Sequence, residues 1–331
     1  VIPYMNNVQM NVAIFKDEKH TIFCLRVNHM CMDGGDLKYF LATLVENYGD
    51  LKRGEYGKVH IKSGSRSYDQ VYSMLEGDDL KHARGLYKNI SKTPDKVYFP
   101  WSESVPEDKN TIVRRTIDEA DFKRMHEVSK KLGITVNDAI MATVFRSLYE
   151  ICGLKDDDSL TVSCAIDLRK HIEKGGLLGG MTNHTAWMAV RTLEKGDDIR
   201  DTVVNVIRST KGYKRDKFMG LYSLPLLKLA YTIFPHDIAE FAIKAGYDNP
   251  LIAVSNMGLL PADKLTFDAL TLKDGFISGA VKYKPFFLMS ATTLMNRVTL
   301  STAIRGNAKD VDIANRFFDL VIDNLHAFNT I

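Results

Sequence analysis

The stretch from Thr21 to Val45 changes from one secondary-structure pattern to another within a few residues. Thr21 to Val27 is rich in β-branched and aromatic residues and is apolar on both faces apart from Arg26, which predicts a strand inside a sheet. Met10 to Lys16 precedes it as a hairpin partner. After Gly34-Gly35, apolar residues recur at helical spacing, with Asp36 as the predicted N-cap. The chain therefore contains a hairpin followed by a strand-to-helix connection.

The loop of this connection reads His29-Met30-Cys31-Met32-Asp33-Gly34. Loops between regular elements often carry catalytic groups on a rigid scaffold. A lone histidine is more often structural than catalytic, but the strand before His29 and the helix after it favour the catalytic interpretation. Gly34 and Gly35 are expected to supply positive φ or a close backbone approach, so a side chain at either position should tilt His29.

Val27 to Gly34 resembles the His-x-x-x-Asp-Gly motif of acyltransferases that use coenzyme A or carrier-protein thioesters. That superfamily includes chloramphenicol acetyltransferase, peptide-synthetase condensation domains, polyketide-associated acyltransferases and alcohol acetyltransferases. Condensation domains usually carry a second histidine immediately before the catalytic one, and Asn28 stands there in this chain. The resemblance therefore points toward alcohol acetyltransferase-like or polyketide-associated acyltransferase-like members.

Segments further along the chain resemble later motifs of the superfamily, in the same order. They are Ile134 to Ile140, Ala165 to Arg169, Gly180 to Asn183 and Val254 to Gly258. The plant-type Asp-Phe-Gly-Trp-Gly sequence is absent, which argues against a plant-type member.

The resemblance implies an α/β fold with a chloramphenicol-acetyltransferase-like plan: two similar two-layer α+β lobes with mixed sheets and an interlobe tunnel. At 331 residues and 45% hydrophobic residues, the chain has enough apolar material for two cores. We place the N-terminal lobe at residues 1–105 and the C-terminal lobe at 106–331, with a proline-containing crossover at 93–110. The motif arrives early compared with the superfamily, so the first lobe is expected to be incomplete at its start.

Beyond the crossover, strands and helices alternate. Strands are predicted at Leu160 to Ile166, Thr185 to Val190, Leu251 to Ser255, Phe287 to Met295 and Val298 to Ala303. A closing helix is predicted at Val311 to Asn329.

His29 is the predicted general base, which takes a proton from an alcohol or amine and returns it to the leaving thiolate. The chain has no Gly-x-Ser-x-Gly elbow, so direct transfer without a covalent acyl-enzyme is expected. The resemblance implies that Asp33 turns away from the site into a salt bridge with Arg169. Asp33 and Gly34 thus join His29 as catalytic-motif residues, and Arg169 and Gly35 support the site. The alternative for Arg169 is a solvated residue at a helix start.

Ser255 and Asn256 lie at the end of a predicted strand and are candidates to donate hydrogen bonds to the oxyanion of the tetrahedral intermediate. Asn183 is a further candidate to line the tunnel. The alternative for Ser255 and Asn256 is a strand terminator followed by a glycine turn.

No permanently bound cofactor and no metal site are predicted. Coenzyme A thioester is expected as a substrate, with a small-molecule acceptor, and an acyl carrier protein is the alternative donor. Lys282, Lys284 and Arg305 are cations that could meet the phosphates of coenzyme A. The formal charge of +3 and the absence of a basic tract argue against a nucleic-acid partner.

The four cysteines lack paired or metal-type spacing and are expected to be reduced thiols, which favours a cytoplasmic protein. The apolar stretch Met219 to Phe234 contains Pro225 and Lys228 and is too short to span a bilayer, so a helical lid or tunnel wall is expected.

The leading hypothesis is an acyltransferase that moves an acyl group from coenzyme A to an alcohol or amine. The first alternative is a carrier-protein-dependent, amide-forming condensation domain of a non-ribosomal peptide pathway. The second is a catalytically inactive, condensation-like binding module, against which the intact His29, Asp33 and Gly34 argue.

Overall fold

The computed structural model describes residues 8–57, 63–86, 95–173, 179–222, 224–246, 250–268 and 270–331. The chain divides into two compact units. The first unit is Val1–Met74, Asp167–Thr185 and Pro261–Leu272, and the second unit is Leu75–Ile166, Ala186–Leu260 and Lys273–Ile331. Segments of the two units alternate along the chain, whereas the two predicted lobes are continuous stretches that meet after residue 105. The lobe boundary at residue 105 stays a prediction. Residues 1–7 of the predicted first lobe and 93–94 of the predicted crossover lie outside the described residues.

The first unit begins with the predicted hairpin. β1 (Met10–Lys16) pairs antiparallel with β2 (Thr21–Val27), with Lys16 opposite Thr21. The Asp17 carboxylate accepts hydrogen bonds from the backbone N–H groups of Lys19 and His20, at 2.7 and 2.6 Å, which closes the turn. Helix α1 (Gly34–Lys52) follows after the motif loop. This is the strand-to-helix order that the sequence pattern predicts.

The prediction that β2 lies inside a sheet is wrong for the described residues, in which β2 pairs with β1 alone. Ile22 on β2 is 62% exposed, and Phe15 on β1 is 59% exposed. A continuous apolar run is typical of a strand that is buried on both faces, but which elements cover the strand is decided by tertiary structure. The sequence pattern therefore identified the strand but not its surroundings.

The second unit is built on a mixed sheet, for which seven strands are described. They are β3 (Lys109–Ile117), β4 (Leu160–Asp167), β5 (Thr185–Thr192), β6 (Ile252–Leu259), β7 (Lys282–Tyr283), β8 (Phe287–Leu294) and β9 (Arg297–Gly306). The strand order is β3-β9-β8-β6-β4-β5, and β7 pairs with β9. β6 is parallel to β4 and β8, whereas β9 is antiparallel to β3 and β8. The mixed sheet and the helices confirm the predicted α/β fold class.

Seven helices of the second unit are described, and several of them begin or end at local capping signals. They are α2 (Gly77–Arg84), α3 (Glu119–Leu132), α4 (Val136–Ile151), α5 (Ile199–Arg215), α6 (Leu224–Ile233), α7 (His236–Gly246) and α8 (Ala308–Asn329). α3 ends at Gly133, whose φ of 68° is left-handed, and α4 begins with a capping box between Thr135 and Asp138. Within the described ranges, no helix is long and apolar enough to cross a membrane.

Aromatic packing joins α8 to the sheet of the second unit. Phe287 on β8 and Phe317 on α8 are buried, with ring centroids 5.1 Å apart. Phe99 stacks on Phe287 at 4.0 Å and meets Phe317 edge-on at 5.4 Å. Helix α4 packs beside α5 and α8 to complete this core.

Each cysteine of the chain is a free thiol. They are Cys24, Cys31, Cys152 and Cys164. Burial raises the pKa of the Cys152 thiol to about 12, so this group stays protonated at neutral pH. Free thiols agree with the expectation of reduced cysteines, and the cytoplasmic location stays a prediction.

Candidate active site

Asn28 shapes the loop that carries the candidate base. Its backbone carbonyl accepts from the N–H of Cys31 at 2.9 Å, and its side-chain Oδ1 accepts from the N–H of Met30 at 3.0 Å. Its Nδ2 donates to Gln9 Oε1 at 2.8 Å, just before β1. These bonds turn the chain between β2 and α1. His29 lies in this turn and is exposed.

Asp33, and not the predicted Asp36, is the N-cap of α1. It has extended backbone angles, and its Oδ1 accepts from the N–H groups of Gly35 at 3.0 Å and Asp36 at 3.1 Å. A carboxylate at this position satisfies N–H groups that have no partner within the helix and complements the helix dipole. The helix thus begins at Gly34, three residues earlier than a cap at Asp36 would indicate.

Gly34 and Gly35 form the first turn of α1, so the predicted positive φ is wrong for both. The predicted close approach does occur at Gly35. A Cβ atom there would lie 2.8 Å from Arg169 Nη1 and 3.3 Å from Asp33 Oδ1. Glycine at position 35 therefore leaves room for the Arg169 guanidinium, and the expected tilt of His29 by a side chain there stays a prediction.

Arg169 lies among three carboxylates. Its Nη1 is 2.9 Å from Asp33 Oδ2 and 3.0 Å from Asp167 Oδ1, and its Nη2 is 2.9 Å from Asp36 Oδ2. The side chains of Asp33 and Asp36 are each 2% exposed and that of Arg169 is 12% exposed, so the alternative of a solvated arginine is wrong. The structure brings Asp33 and Arg169 together as the resemblance implied. Their role in catalysis stays a prediction.

Burial alone would raise the pKa of the Asp33 carboxyl, but hydrogen bonds to the ionised form outweigh it. The Arg169 guanidinium and the N–H groups of Asp36 and His184 hold this pKa below its ordinary value. The His184 N–H lies 2.7 Å from Asp33 Oδ2. Asp33 is therefore a carboxylate at neutral pH that joins α1 to the segment around His184.

The segment before β5 is joined to α1 at a second point that sequence reasoning missed. The N–H of Thr182 donates to Asp36 Oδ2 at 2.7 Å. Asp36 was predicted as a helix cap, but its position three residues after Asp33 also puts both side chains near the start of one helix. Together, Asp33 and Asp36 hold both Arg169 and the 182–184 backbone.

Arg66 is another residue that sequence reasoning missed, and it contacts the motif loop directly. Its Nη2 donates to the Cys31 carbonyl at 3.2 Å, and its Nε donates to the Met181 carbonyl at 2.9 Å. Arg66 thus links the motif loop to the segment that leads to Asn183. An arginine in a polar stretch carries no sequence signal for such a role.

The structure places Asn183 beside the candidate base. Its Nδ2 lies 3.2 Å from His29 Nδ1 and 3.4 Å from the His29 carbonyl oxygen. Its Oδ1 accepts from the N–H of Thr185 at 3.1 Å. Sequence analysis offered Asn183 as a tunnel residue, and the hydrogen bond to His29 is a contact that it did not predict.

His184 is a buried histidine, 3% exposed, whose Nδ1 has no hydrogen-bond partner among the residues that the structure describes. Burial lowers the pKa of its imidazole, and the positive charge of Arg169 lowers it further. The carboxylates of Asp33, Asp36 and Asp167 act in the opposite direction but do not reverse the shift. The folded protein therefore holds His184 neutral at pH values where an unfolded chain would protonate it.

Stability is expected to fall as the pH drops below about 6.5, the ordinary pKa of histidine. The unfolded chain then binds a proton at His184 that the folded chain does not bind, so acid favours unfolding. Above that pH the contribution of His184 is fully present. Thermal unfolding followed between about pH 8 and about pH 5 measures this slope. A His184→Phe variant should have a flatter profile, and a His20→Gln variant, which changes an exposed histidine, should match the wild type. Equal slopes in all three would contradict this account.

Ser255 and Asn256 lie on β6 of the second unit. Asn256 Oδ1 accepts from the N–H of Gly258 at 2.9 Å, and its Nδ2 donates to Asn137 Oδ1 at 3.3 Å. A register shift lies between Asn256 and Gly258, and Gly258 has a φ of 68°. These contacts place Asn256 at a bulge inside β6, which continues to Leu259, so Asn256 does not end the strand as the strand-terminator alternative expected. Among the described residues, the Ser255 hydroxyl contacts only Met257 Sδ, at 3.7 Å, so Ser255 is the less engaged of the two oxyanion candidates.

Lys284 is not available as the predicted phosphate-binding cation. Its Nζ lies 2.7 Å from Asp310 Oδ2 and 3.2 Å from Asp108 Oδ2, and its side chain is 7% exposed. Burial would lower the pKa of its amine, but the two carboxylates raise it above the ordinary value. By contrast, burial lowers the pKa of the Lys282 amine. Lys284 is therefore a structural ion-pair residue of the second unit.

No protein-family model and no curated protein sequence matches the chain. Solved structures do match it. Polyketide synthase associated protein 5 from Mycobacterium tuberculosis has a TM-score of 0.64 at 10% identity, over 97% of this chain and 78% of that one. The epimerization domain from the third module of tyrocidine synthetase B has a TM-score of 0.61 at 12% identity, over 97% and 72%. The first condensation domain of the CDA synthetase has a TM-score of 0.59 at 13% identity, over 98% and 68%.

The chain therefore shares its fold with these three structures, two of which are domains of synthetases. At these identities the likeness establishes the fold alone. The activity depends on the chemistry of the site itself.

Proposed function

We propose that this protein is an acyltransferase that moves an acyl group from a coenzyme A thioester to an alcohol. The observation that carries the proposal is the exposed imidazole of His29 on a loop whose end is held by the buried Asp33–Arg169 pair. A base needs access to its substrate and a fixed position. The loop supplies both.

The reaction needs one proton carrier. A ring nitrogen of His29 takes the proton of the acceptor hydroxyl while the oxygen attacks the thioester carbonyl carbon, which forms a C–O bond and an oxyanion. The oxyanion collapses, the C–S bond breaks, and the thiolate takes the proton back from the imidazolium. The products are an ester and free coenzyme A. No side-chain nucleophile is required.

Asp33 and Arg169 have no proposed contact with the reacting atoms. Asp33 caps α1 through Oδ1 and pairs with Arg169 through Oδ2, so one carboxylate fixes the end of the loop in two directions. Removing Arg169 would leave the buried Asp33 carboxylate without its counter-ion, and removing Asp33 would leave Arg169 with one carboxylate fewer. We therefore assign them to positioning the loop.

A carrier-protein-dependent, amide-forming reaction is the second candidate, because the chain shares its fold with a condensation domain. The residue before His29 distinguishes the two. Asn28 stands where the superfamily's condensation domains usually carry a histidine, and both ends of its side chain are used in hydrogen bonds that shape the loop. Asn28 therefore favours transfer to an alcohol.

The proposal is tested by measuring free thiol release from acyl-coenzyme A donors, from acetyl to palmitoyl, with and without small alcohols. The same acyl groups on the phosphopantetheine arm of a carrier protein, with amine acceptors, form the parallel series. We expect alcohol-dependent thiol release from coenzyme A with an equal amount of ester. Release from carrier-protein donors alone would favour the condensation reaction. No turnover with any donor would favour an inactive binding module.

A further inference from the structure

The orientation of the Asn183 side-chain amide follows from its neighbours. A backbone N–H can only donate, so the Asn183 atom that faces the N–H of Thr185 at 3.1 Å is the oxygen, Oδ1. The other end of the amide is therefore the NH₂ group. This NH₂ group lies 3.2 Å from His29 Nδ1 and 3.4 Å from the His29 carbonyl oxygen.

This orientation determines which ring nitrogen of His29 accepts. An amide NH₂ group has only protons to offer, so Nδ1 must present its lone pair to it. A neutral imidazole has one proton, which must then be on Nε2. Within the described part of the chain, Nε2 has no hydrogen-bond partner. In the neutral ring, Nε2 is thus a donor, whereas Nδ1, the one acceptor, is already hydrogen-bonded to Asn183.

We propose that Asn183 is a positioning residue that stores the neutral imidazole of His29 in its Nε2–H tautomer. Its catalytic meaning rests on the proposed function, because a general base must offer a lone pair to the acceptor hydroxyl. In the stored tautomer the only ring lone pair is on Nδ1, where the Asn183 N–H meets it. Proton uptake by His29 therefore requires that this hydrogen bond opens.

Asn183→Asp is the variant that reverses the arrangement. A carboxylate can still accept from the N–H of Thr185, so the backbone contact is kept. Its other oxygen can only accept, which draws the ring proton to Nδ1 and leaves a lone pair on the unoccupied Nε2. In a serine-protease triad the opposite replacement, Asp to Asn, gives the wrong histidine tautomer and lowers kcat by about 10⁴-fold. In Asn183→Asp the neutral His29 ring should therefore have a lone pair on Nε2 that can accept a proton from the acceptor hydroxyl.

The tautomer is measured directly by ¹⁵N–¹H long-range NMR of ¹⁵N-histidine-labelled protein, about two pH units above the ordinary histidine pKa of about 6.5. The chain has nine histidines, so the signals of His29 are assigned by their loss in a His29→Gln variant. We expect protonated Nε2 and unprotonated Nδ1 in the wild type, and the reverse as the major form in Asn183→Asp. Asn183→Ala should raise the Nδ1–H fraction above that of the wild type.

Asn28→Asp is the matched control. It introduces the same charge one residue before His29, but the side chain of residue 28 contacts Gln9 and the N–H of Met30 and not the ring. The control should keep the wild-type tautomer. The proposal is overturned if Asn183→Asp keeps the wild-type tautomer, if the wild type already has Nδ1–H as its major form, or if Asn28→Asp reverses the tautomer equally.

Kinetics separate this proposal from the proposed function. For a chain that transfers acyl groups, Asn183→Asp should raise kcat and leave the KM for the donor unchanged, since the ring no longer needs to be released. A reversed tautomer with an unchanged or lower kcat would overturn the storage role. If the wild type transfers no acyl group, the proposed function fails while the NMR result still decides the tautomer.

Discussion

A His29→Ala variant is expected to lose acyl transfer by roughly 10²- to 10⁴-fold in kcat/KM, the range that a positioned general base contributes. Its thermal transition should stay close to that of the wild type. The imidazole is exposed, and the one side chain described as hydrogen-bonded to it is Asn183. The loop itself is held by Asn28, Arg66 and Asp33, all of which remain.

His20→Ala is the matched control for this variant. His20 is an exposed histidine of the same unit, in the turn between β1 and β2. Both variants remove one exposed imidazole, so they should unfold at similar temperatures and differ only in turnover. Full turnover by His29→Ala would exclude the general-base role, and equal losses in both variants would point to a general effect on the hairpin.

An Asp33→Ala variant is expected to lower the free energy of unfolding by roughly 3 to 5 kcal/mol, the cost of breaking a buried ion pair by removing one partner. Asp33 is 3% exposed, and its removal leaves the Arg169 guanidinium without one carboxylate and the N–H of His184 without an acceptor. Activity should fall as well, because the end of the motif loop is released. Urea unfolding followed by circular dichroism measures the loss.

Two further variants separate the charge of Asp33 from its capping role. Asparagine is also a good N-cap, so Asp33→Asn should keep the start of α1 while losing the ion pair. Asp118 is an exposed N-cap of α3, so Asp118→Ala gives the cost of losing a cap alone, about 1 kcal/mol. A loss in Asp33→Ala no larger than that in Asp118→Ala would show that the buried pair adds nothing to stability.

Much of the fold follows from local patterns. The predicted strand Leu160 to Ile166 is β4 (Leu160–Asp167), and the predicted helix Val311 to Asn329 is α8 (Ala308–Asn329). The caps at Gly133 and Thr135 are equally local, because a cap is a contact between residues a few positions apart. Periodicity and capping are properties of the neighbouring sequence, so the sequence alone reveals them.

The candidate site was less predictable because its contacts join distant segments. Asn183 and His29 are 154 positions apart, and Thr182 and Asp36 are 146 positions apart. The sequence offers Lys284 as a cation that could meet a phosphate, but in the structure it lies between two buried carboxylates. No local pattern reports such pairings.

The sequence by itself determined the strand-loop-helix that presents His29, and the resemblance of its motif implied an α/β fold and the pairing of Asp33 with Arg169. Only the tertiary structure decided that Asp33 rather than Asp36 caps α1, and that the Asn183 amide meets Nδ1 of the imidazole. The reason is physical: helix and strand formation depend on near neighbours, whereas the choice of a hydrogen-bond partner depends on which distant backbone and side-chain groups folding brings within about 3 Å.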